Sequence, residues 1–332
     1  MEDDPVPELY PKYIEGHADG KFFEAFKSVT GVGLKPFLCA RSAMVSGLQS
    51  LGFSRTDEIL VPPYLSHCVL SALGKICFPT MTPSSRTKAI LAYHQYGFPQ
   101  QVEEIEKEAG RRGWVILNDC ATSLFTKVKG ESIIRWGTFS VVSLAKFFHC
   151  GMGGGLWSKE EGFLGACSGK EKGDSDAANG LFEHYVYHFE VKDLFLAGIM
   201  IHAIYGCIPI IKSLPQRSLD ALPSSQKEIV DEISRRERIY GEALSILDDR
   251  IPHCLEGVVP FAVPILGERH ELERLSMEIL SKFSLRAEVL HFDVAMNMLS
   301  PDYRDALVIG CHDQWKEEIL VDIFQLVKRM GG

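Results

Sequence analysis

Residues 89–124, AILAYHQYGFPQQVEEIEKEAGRRGWVILNDCATSL, read as strand, helix, strand. Ala89 to Tyr93 is an apolar run of strand length, Val102, Ile105 and Ala109 recur at helical spacing, and Trp114 to Leu117 returns to a short apolar run. The same alternation continues in both directions. Upstream, Ser42 to Leu51 places Ala43, Met44, Val45, Leu48 and Leu51 on one broad helical face, with Gly52 as the stop. Glu58 to Val61 is a strand halted by Pro62-Pro63, and Ser66 can cap a helix with Val69, Ala72 and Leu73 inward and Gly74 at its end. Downstream, Phe139 to Leu144 and Leu156-Trp157-Ser158 are strand-like. From about residue 38 to 158 the pattern predicts an α/β domain with a mainly parallel sheet and crossover helices.

Beyond this region the composition changes. Gly, Lys, Glu, Asp and Ser dominate residues 159–190, which read as a surface connection. Leu194 to Ile211 is almost wholly apolar and approaches bilayer-spanning length, but it holds His202, Gly198, Gly206 and Pro209. A buried or subunit-interface helix is the expected fate, and membrane contact is not expected. Ser224 to Leu247 is a long charged helix pattern with Ile229, Ile233 and Leu244 inward and Arg235-Arg236 as a solvated basic face. A strand over Val258 to Leu266, a helix over Glu271 to Phe283, a short strand near Val289 and a final helix over Glu317 to Met330 complete the chain. The expected division is a large domain over residues 1–215 and a small C-terminal α/β domain over 216–332.

The 332 residues carry 35 Lys and Arg against 44 Asp and Glu, a net charge of −9, so no general attraction to phosphate backbones exists and nucleic acid is not an expected partner. Nine Cys, with no Cys-x-x-Cys pair and no zinc spacing, read as reduced, packed thiols in a cytoplasmic protein. No metal site is expected. The opening Met1-Glu2-Asp3-Asp4-Pro5 is acidic and has no apolar run, so no secretory or transit peptide is expected.

Residues with chemical potential gather after strand ends, where open parallel sheets bind ligands. Asp119 ends the strand before Cys120; taken alone, an acid there is more often a helix cap or turn residue. Lys146 follows the next strand with apolar neighbours that can desolvate its amine and so free it to attack a carbonyl; the plainer alternative is a lysine snorkelling to water. Gly151, Gly153, Gly154 and Gly155 make a turn before a strand, which is neither a Walker nor a Rossmann pattern and points to close backbone approach. Cys39-Ala40-Arg41-Ser42 opens a helix whose free N–H groups can hold a phosphate. His67 starts the following helix, and His94 ends a strand; each alone reads as structural.

In order, these features resemble the fold-type I pyridoxal-phosphate enzymes, and specifically the DegT/DnrJ/EryC1/StrS aminotransferase family. The similar stretches are CARSAMVSGLQSLGFSRTDEILVPPY, residues 89–124 quoted above, and SLAKFFHCGMGGGLWS, with VVPFAVPIL and RRERIYGEAL in the C-terminal part. The resemblance implies that Lys146 holds pyridoxal 5'-phosphate covalently and then moves a proton between substrate and cofactor. It implies that Asp119 pairs with the pyridine nitrogen, that Ala40, Arg41, Ser143 and Ser42 hold the phosphate, and that His67, with Tyr64 in reserve, stacks on the ring. Thr122, three residues after the aspartate, stands where many relatives carry Gln or His and is the cofactor-binding counterpart that the resemblance implies, its contact to the cofactor hydroxyl shorter or missing. The family's Gly-x-Asn-x-Arg segment is not recognisable between residues 160 and 220. Cys150-Gly151-Met152 replaces the usual acidic or polar lead-in to the glycine turn. The implied activity is transfer of an amino group, with glutamate as donor, to a keto-sugar nucleotide or related carbonyl, by a homodimer. Its alternatives are a lyase acting on an amino acid with the same cofactor, and a non-catalytic binding or regulatory protein.

Overall fold

Ala89 and Leu91 are buried in one hydrophobic cluster and Ile90 and Ala92 in another, so residues 89–93 read as an unbroken apolar run because both faces of the strand are covered. The computed structural model describes residues 11, 13–16, 20–167, 174–190, 211–253 and 256–330. In chain order, its first half runs α1 (Phe22–Thr30), β1 (Lys35–Phe37), α2 (Ala40–Ser50), β2 (Glu58–Leu60), α3 (His67–Leu73), β3 (Phe78–Thr80), β4 (Thr87–Tyr93), α4 (Val102–Arg112) and β5 (Val115–Asp119). A small hairpin, β6 (Lys127–Val128) and β7 (Glu131–Ser132), precedes β8 (Phe139–Ser143) and β9 (Gly154–Ser158). The second half holds α5 (Glu161–Ala166), α6 (Asp174–Glu190), α7 (Gln216–Asp220), α8 (Gln226–Leu247), β10 (Ala262–Leu266), α9 (Arg269–Phe283), β11 (Glu288–Asp293), β12 (Tyr303–Gly310) and α10 (Glu317–Met330).

The large sheet has seven strands in the order β1-β9-β8-β5-β4-β2-β3. Pairing is parallel from β8 through β5, β4 and β2 to β3, whereas β9 runs antiparallel to both β8 and β1. Residues 144–153 joining β8 to β9 are too few for a crossover, which forces the reversal. The carboxyl ends of β1, β2, β4, β5 and β8 therefore share one edge with the start of β9. Helices α2 and α3 cover one face through Ala43, Met44, Leu48 and Leu73, and α4 covers the other through Ile105 and Ala109. The α4 helix follows its sequence signals: Glu103 and Glu104 in the first turn, Arg111 and Arg112 in the last, and Gly113 at φ 69° as the left-handed cap.

The C-terminal sheet is antiparallel, in the order β10-β12-β11. Its central strand, β12, is absent from the sequence reading because it opens with partly exposed Tyr303, Arg304 and Asp305, and only Ala306 onward is buried. A single hydrophobic cluster includes Phe147 and Phe148 after β8 together with Tyr240 of α8, Phe261, Val263 of β10 and Phe292 of β11, so the two sheets are joined by packing.

Two expectations are corrected. Residues 161–166 and 174–190, expected in a surface connection, are helical; the Asp174 carboxylate at the start of α6 accepts the Ser213 N–H at 2.7 Å and the Lys212 N–H at 3.1 Å. Arg235-Arg236 is not a solvated face. Arg236 is fully buried and Arg235 has only 13% of its side chain exposed, because both guanidinium groups bond the single Glu232 carboxylate one turn earlier and donate to backbone carbonyls. The apolar stretch from Leu194, except Ile211, lies outside the described residues. Among the described residues, no helix is long and apolar enough to cross a membrane. The seven described cysteines are free, and burial raises the thiols of Cys120 and Cys150 above their ordinary range.

Candidate active site

Parallel pairing puts Tyr93 of β4 opposite Asp119 of β5, and Asp119 opposite Val141 of β8, so the loops after these strands open side by side. Asp119 is 2% exposed, and its carboxylate accepts the Ala121 N–H at 3.0 Å. Burial raises its pKa; the Ala121 hydrogen bond and the nearby Lys146 cation pull it back down. The acid and the lysine are thus brought into one electrostatic environment, although 27 residues separate them in sequence (146 − 119).

Lys146 is half-buried at the end of a single 3-10 turn, Leu144–Lys146, that follows β8 directly. That turn is fixed by its backbone: the Leu144 N–H donates to the Gly153 carbonyl, and the Leu144 carbonyl accepts from Phe147 and Phe148, all at 2.9 Å. The Lys146 amine lies over the Phe261 ring, with Nζ 5.8 Å from its centroid. Phe261 reaches this position because its N–H donates to the Tyr96 carbonyl at 2.8 Å, and Gly97 allows the close approach. A Cβ on Gly97 would stand 2.5 Å from the Val259 carbonyl oxygen, and its φ of 102° is itself one that favours glycine.

The glycine turn before β9 abuts the start of α2. A Cβ on Gly154 would fall 2.3 Å from the Cys39 carbonyl carbon and 2.5 Å from the Ala40 nitrogen, so no larger residue fits between the sheet and the helix N-terminus. Cys39 is the extended N-cap, and the first-turn N–H groups of an α-helix have no acceptor within the helix. Ala40 and Arg41 occupy that turn, as the sequence predicts. The Ser42 hydroxyl, expected among the phosphate donors, is instead spent on the N-cap: it accepts the Cys39 N–H at 3.1 Å and donates to the Cys39 carbonyl at 2.9 Å. Ser143 ends β8 opposite Gly154, on the same edge.

Other sequence candidates separate. His67 is exposed in the first turn of α3, beyond the carboxyl end of β2. Tyr64, at φ 58°, turns its ring toward the C-terminal sheet, 3.9 Å from the His291 ring and 5.0 Å from Tyr303 between centroids. The Thr122 hydroxyl donates to the His94 carbonyl at 2.6 Å and accepts the Tyr96 N–H at 3.2 Å, so it braces the floor of the site. His94 is fully buried. Its Nδ1 accepts the Gln100 N–H at 2.9 Å, which leaves Nε2 to donate to the Asn118 amide oxygen at 2.6 Å. Burial pulls this imidazole down to about 4, against the smaller opposing effect of Asn118, so it is neutral near pH 7.

Sequence reasoning missed Asn118, Phe261 and Arg236. Asn118 ties β5 to its neighbours through the Ile133 carbonyl and the Ser140 hydroxyl, both at 2.8 Å. A polar residue just before the acid at the end of an apolar strand is the signal that could have found it.

A family model described as "Putative PLP-dependent aminotransferase" matches residues 22–165. GDP-perosamine synthase of Escherichia coli O157:H7 is 28% identical over 127 residues, which cover 32% of this chain and 33% of that protein. The match therefore spans about a third of the length of this curated relative. Among solved structures, a DegT DnrJ EryC1 StrS aminotransferase from Brucella abortus superposes with a TM-score of 0.65 at 14% identity, covering 96% of this chain and 92% of the other. Helicobacter pylori PseC, an aminotransferase involved in pseudoaminic acid biosynthesis, gives 0.65 at 16% identity over 95% and 92%. The fold is that of the DegT/DnrJ/EryC1/StrS aminotransferases, with a large mainly parallel sheet and a small C-terminal sheet.

Proposed function

We propose that this protein is a pyridoxal-phosphate-dependent aminotransferase that moves an amino group from glutamate to a keto-sugar nucleotide or related carbonyl. The observation that carries the reading is the placement of Lys146 within electrostatic reach of the buried Asp119 at the carboxyl edge of the sheet, where α2 starts against the glycine turn. The donor set fits the cofactor: an amine for its carbonyl, an acid for its ring nitrogen, and a helix start for its phosphate. Pyridoxal phosphate supplies, when bound, an electron sink for the negative charge that develops at the substrate carbon.

In this reading Lys146 would hold the cofactor through Nζ, and the same amine would serve as the general base that moves the proton. Asp119 keeps a proton on the ring nitrogen by a charge-assisted hydrogen bond, which its dry surroundings strengthen. The N–H groups of Ala40 and Arg41, with the Ser143 hydroxyl, would hold the phosphate, and His67 would stack on the ring. The names of the perosamine synthase and PseC support a sugar-derived acceptor. Elimination additionally needs a group that serves the leaving group. Of the histidines near the site, His94 has both ring nitrogens engaged, which favours transfer over the lyase alternative.

The test is to mix the holoprotein with glutamate in the absence of an acceptor. One equivalent of keto acid per site, with loss of the visible cofactor band, is the expected outcome. No conversion with glutamate or glutamine, together with catalytic ammonia release from a β-substituted amino acid, sinks the proposal in favour of a lyase.

We further propose a homodimer, supported by the apolar stretch Leu194 to Ile211, whose length and composition call for burial. Sedimentation should show a particle of twice 37.1 kDa. A stable monomer that still binds cofactor counts against the dimer, and solubility only in detergent points to a membrane surface instead.

A further inference from the structure

We infer that Arg236 is the positioning residue for Lys146, holding in place both Phe147, the next residue in the chain, and the Phe261 segment whose ring lies under the lysine amine. The inference rests on the reading of Lys146 as the reactive amine and adds what keeps that amine in place. Arg236 lies 90 residues further along the chain, on the middle of α8, and its side chain is fully buried. Its guanidinium Cζ sits 4.7 Å from the centroid of the Phe147 ring, the residue directly after Lys146. Nη1 of the same group donates to the carbonyls of Pro260 at 3.2 Å and Phe261 at 3.1 Å. Phe261 is the ring over which the lysine amine lies, and the Phe147 and Phe261 rings are themselves 5.7 Å apart. One side chain therefore grips both the backbone that follows the lysine and the segment that covers it.

Stability alone gives no reason for a cation at this position. Nη2 is buried with no hydrogen-bond partner, and Glu232, which accepts from Nε at 2.7 Å, is shared with Arg235. A buried pair with an unmet donor is a costly arrangement, and hydrophobic residues replacing both partners are often tolerated without loss. What the guanidinium supplies is direction: Nη1 holds the carbonyl pair, Nε holds Glu232 and the plane carries a ring face, a combination that neither an alkyl chain nor an ammonium reproduces. The carbonyls it holds lie next to the Phe261 N–H that is bonded to Tyr96, so the grip extends from α8 through the 258–261 segment to the loop after β4. Lys146 consequently meets an environment assembled from both halves of the chain.

The experiment reads the lysine directly in the cofactor-free full-length protein. Trace acetylation with acetic anhydride over a range of pH, with peptide mass spectrometry, gives the reactivity profile of every lysine, and exposed Lys75 and Lys159 serve as internal references. Arg236→Lys keeps the charge but loses the fork, and Arg236→Met keeps most of the volume and loses both. In each, the Lys146 profile should move by at least half a pH unit, about threefold in relative rate at fixed pH, while Lys75 and Lys159 superimpose on the wild type. Phe261→Leu leaves the carbonyl partners of Arg236 in place and removes the ring; it should shift Lys146 in the same way, which keeps the test available if the Arg236 variants do not fold. An unchanged Lys146 profile in folded Arg236→Lys and Arg236→Met, or in Phe261→Leu when neither folds, overturns the inference. Borohydride trapping of pyridoxal phosphate on another lysine would instead overturn the assignment of Lys146 as the reactive amine while leaving the labelling result intact.

Discussion

Lys146→Ala should abolish the borohydride-trapped pyridoxal phosphate adduct and lower turnover by ~10²–10⁴-fold, because in the proposed reading the same amine anchors the cofactor and moves the proton. The loss is chemical, since the turn that carries Lys146 is held by backbone bonds among Leu144, Gly153, Phe147 and Phe148 that the substitution leaves alone. Only a half-buried stem is removed, at a stability cost of about 1 kcal/mol. A cofactor-treated, borohydride-reduced digest should show the adduct on the peptide containing residue 146 in the wild type and on none in the variant. An adduct that persists on another lysine, or turnover within tenfold of wild type, rejects the assignment.

The order of strand-end residues was legible because each rests on local signals. The acid and the lysine each follow an apolar run, and the glycine turn precedes a strand, so their positions along one sheet edge follow once the pairing is parallel. Side-chain commitments were not legible. Ser42 and Thr122 carry hydroxyls of the expected type, yet each is consumed by backbone groups that come close only in the folded chain. Arg235-Arg236 misled for a related reason: two adjacent arginines at a helical position read as solvated until the 258–261 segment and Phe147 close over them. Phe261 lay within an apolar run and looked like any strand residue, whereas its contact with Lys146 depends on Gly97 admitting the backbone beside it. In the C-terminal half, β12 was lost because its exposed charged start hides the buried run that follows.

Asp119→Asn should separate activity from stability. The carboxylate is buried, and its pKa is raised chiefly by desolvation, so its ionised form is disfavoured by the fold. For an acid whose folded pKa lies above the unfolded value of 3.8, the folded state retains the proton longer. Stability then falls as pH rises from that value through the raised folded one, and above it the charge is a standing cost. Replacing the acid with its neutral isostere removes that cost while leaving an amide oxygen able to accept from Ala121. At neutral pH the variant should melt at or above the wild-type temperature. Activity should move the opposite way, because an amide cannot keep a proton on the cofactor's ring nitrogen, and loss of such a preorganised charge costs ~10²–10³-fold in turnover. The pair of measurements is thermal unfolding across pH 5 to 8 and single-turnover kinetics with glutamate. A variant that is less stable yet turns over normally would make Asp119 a structural residue, the turn-forming role that its position at a strand end also allows.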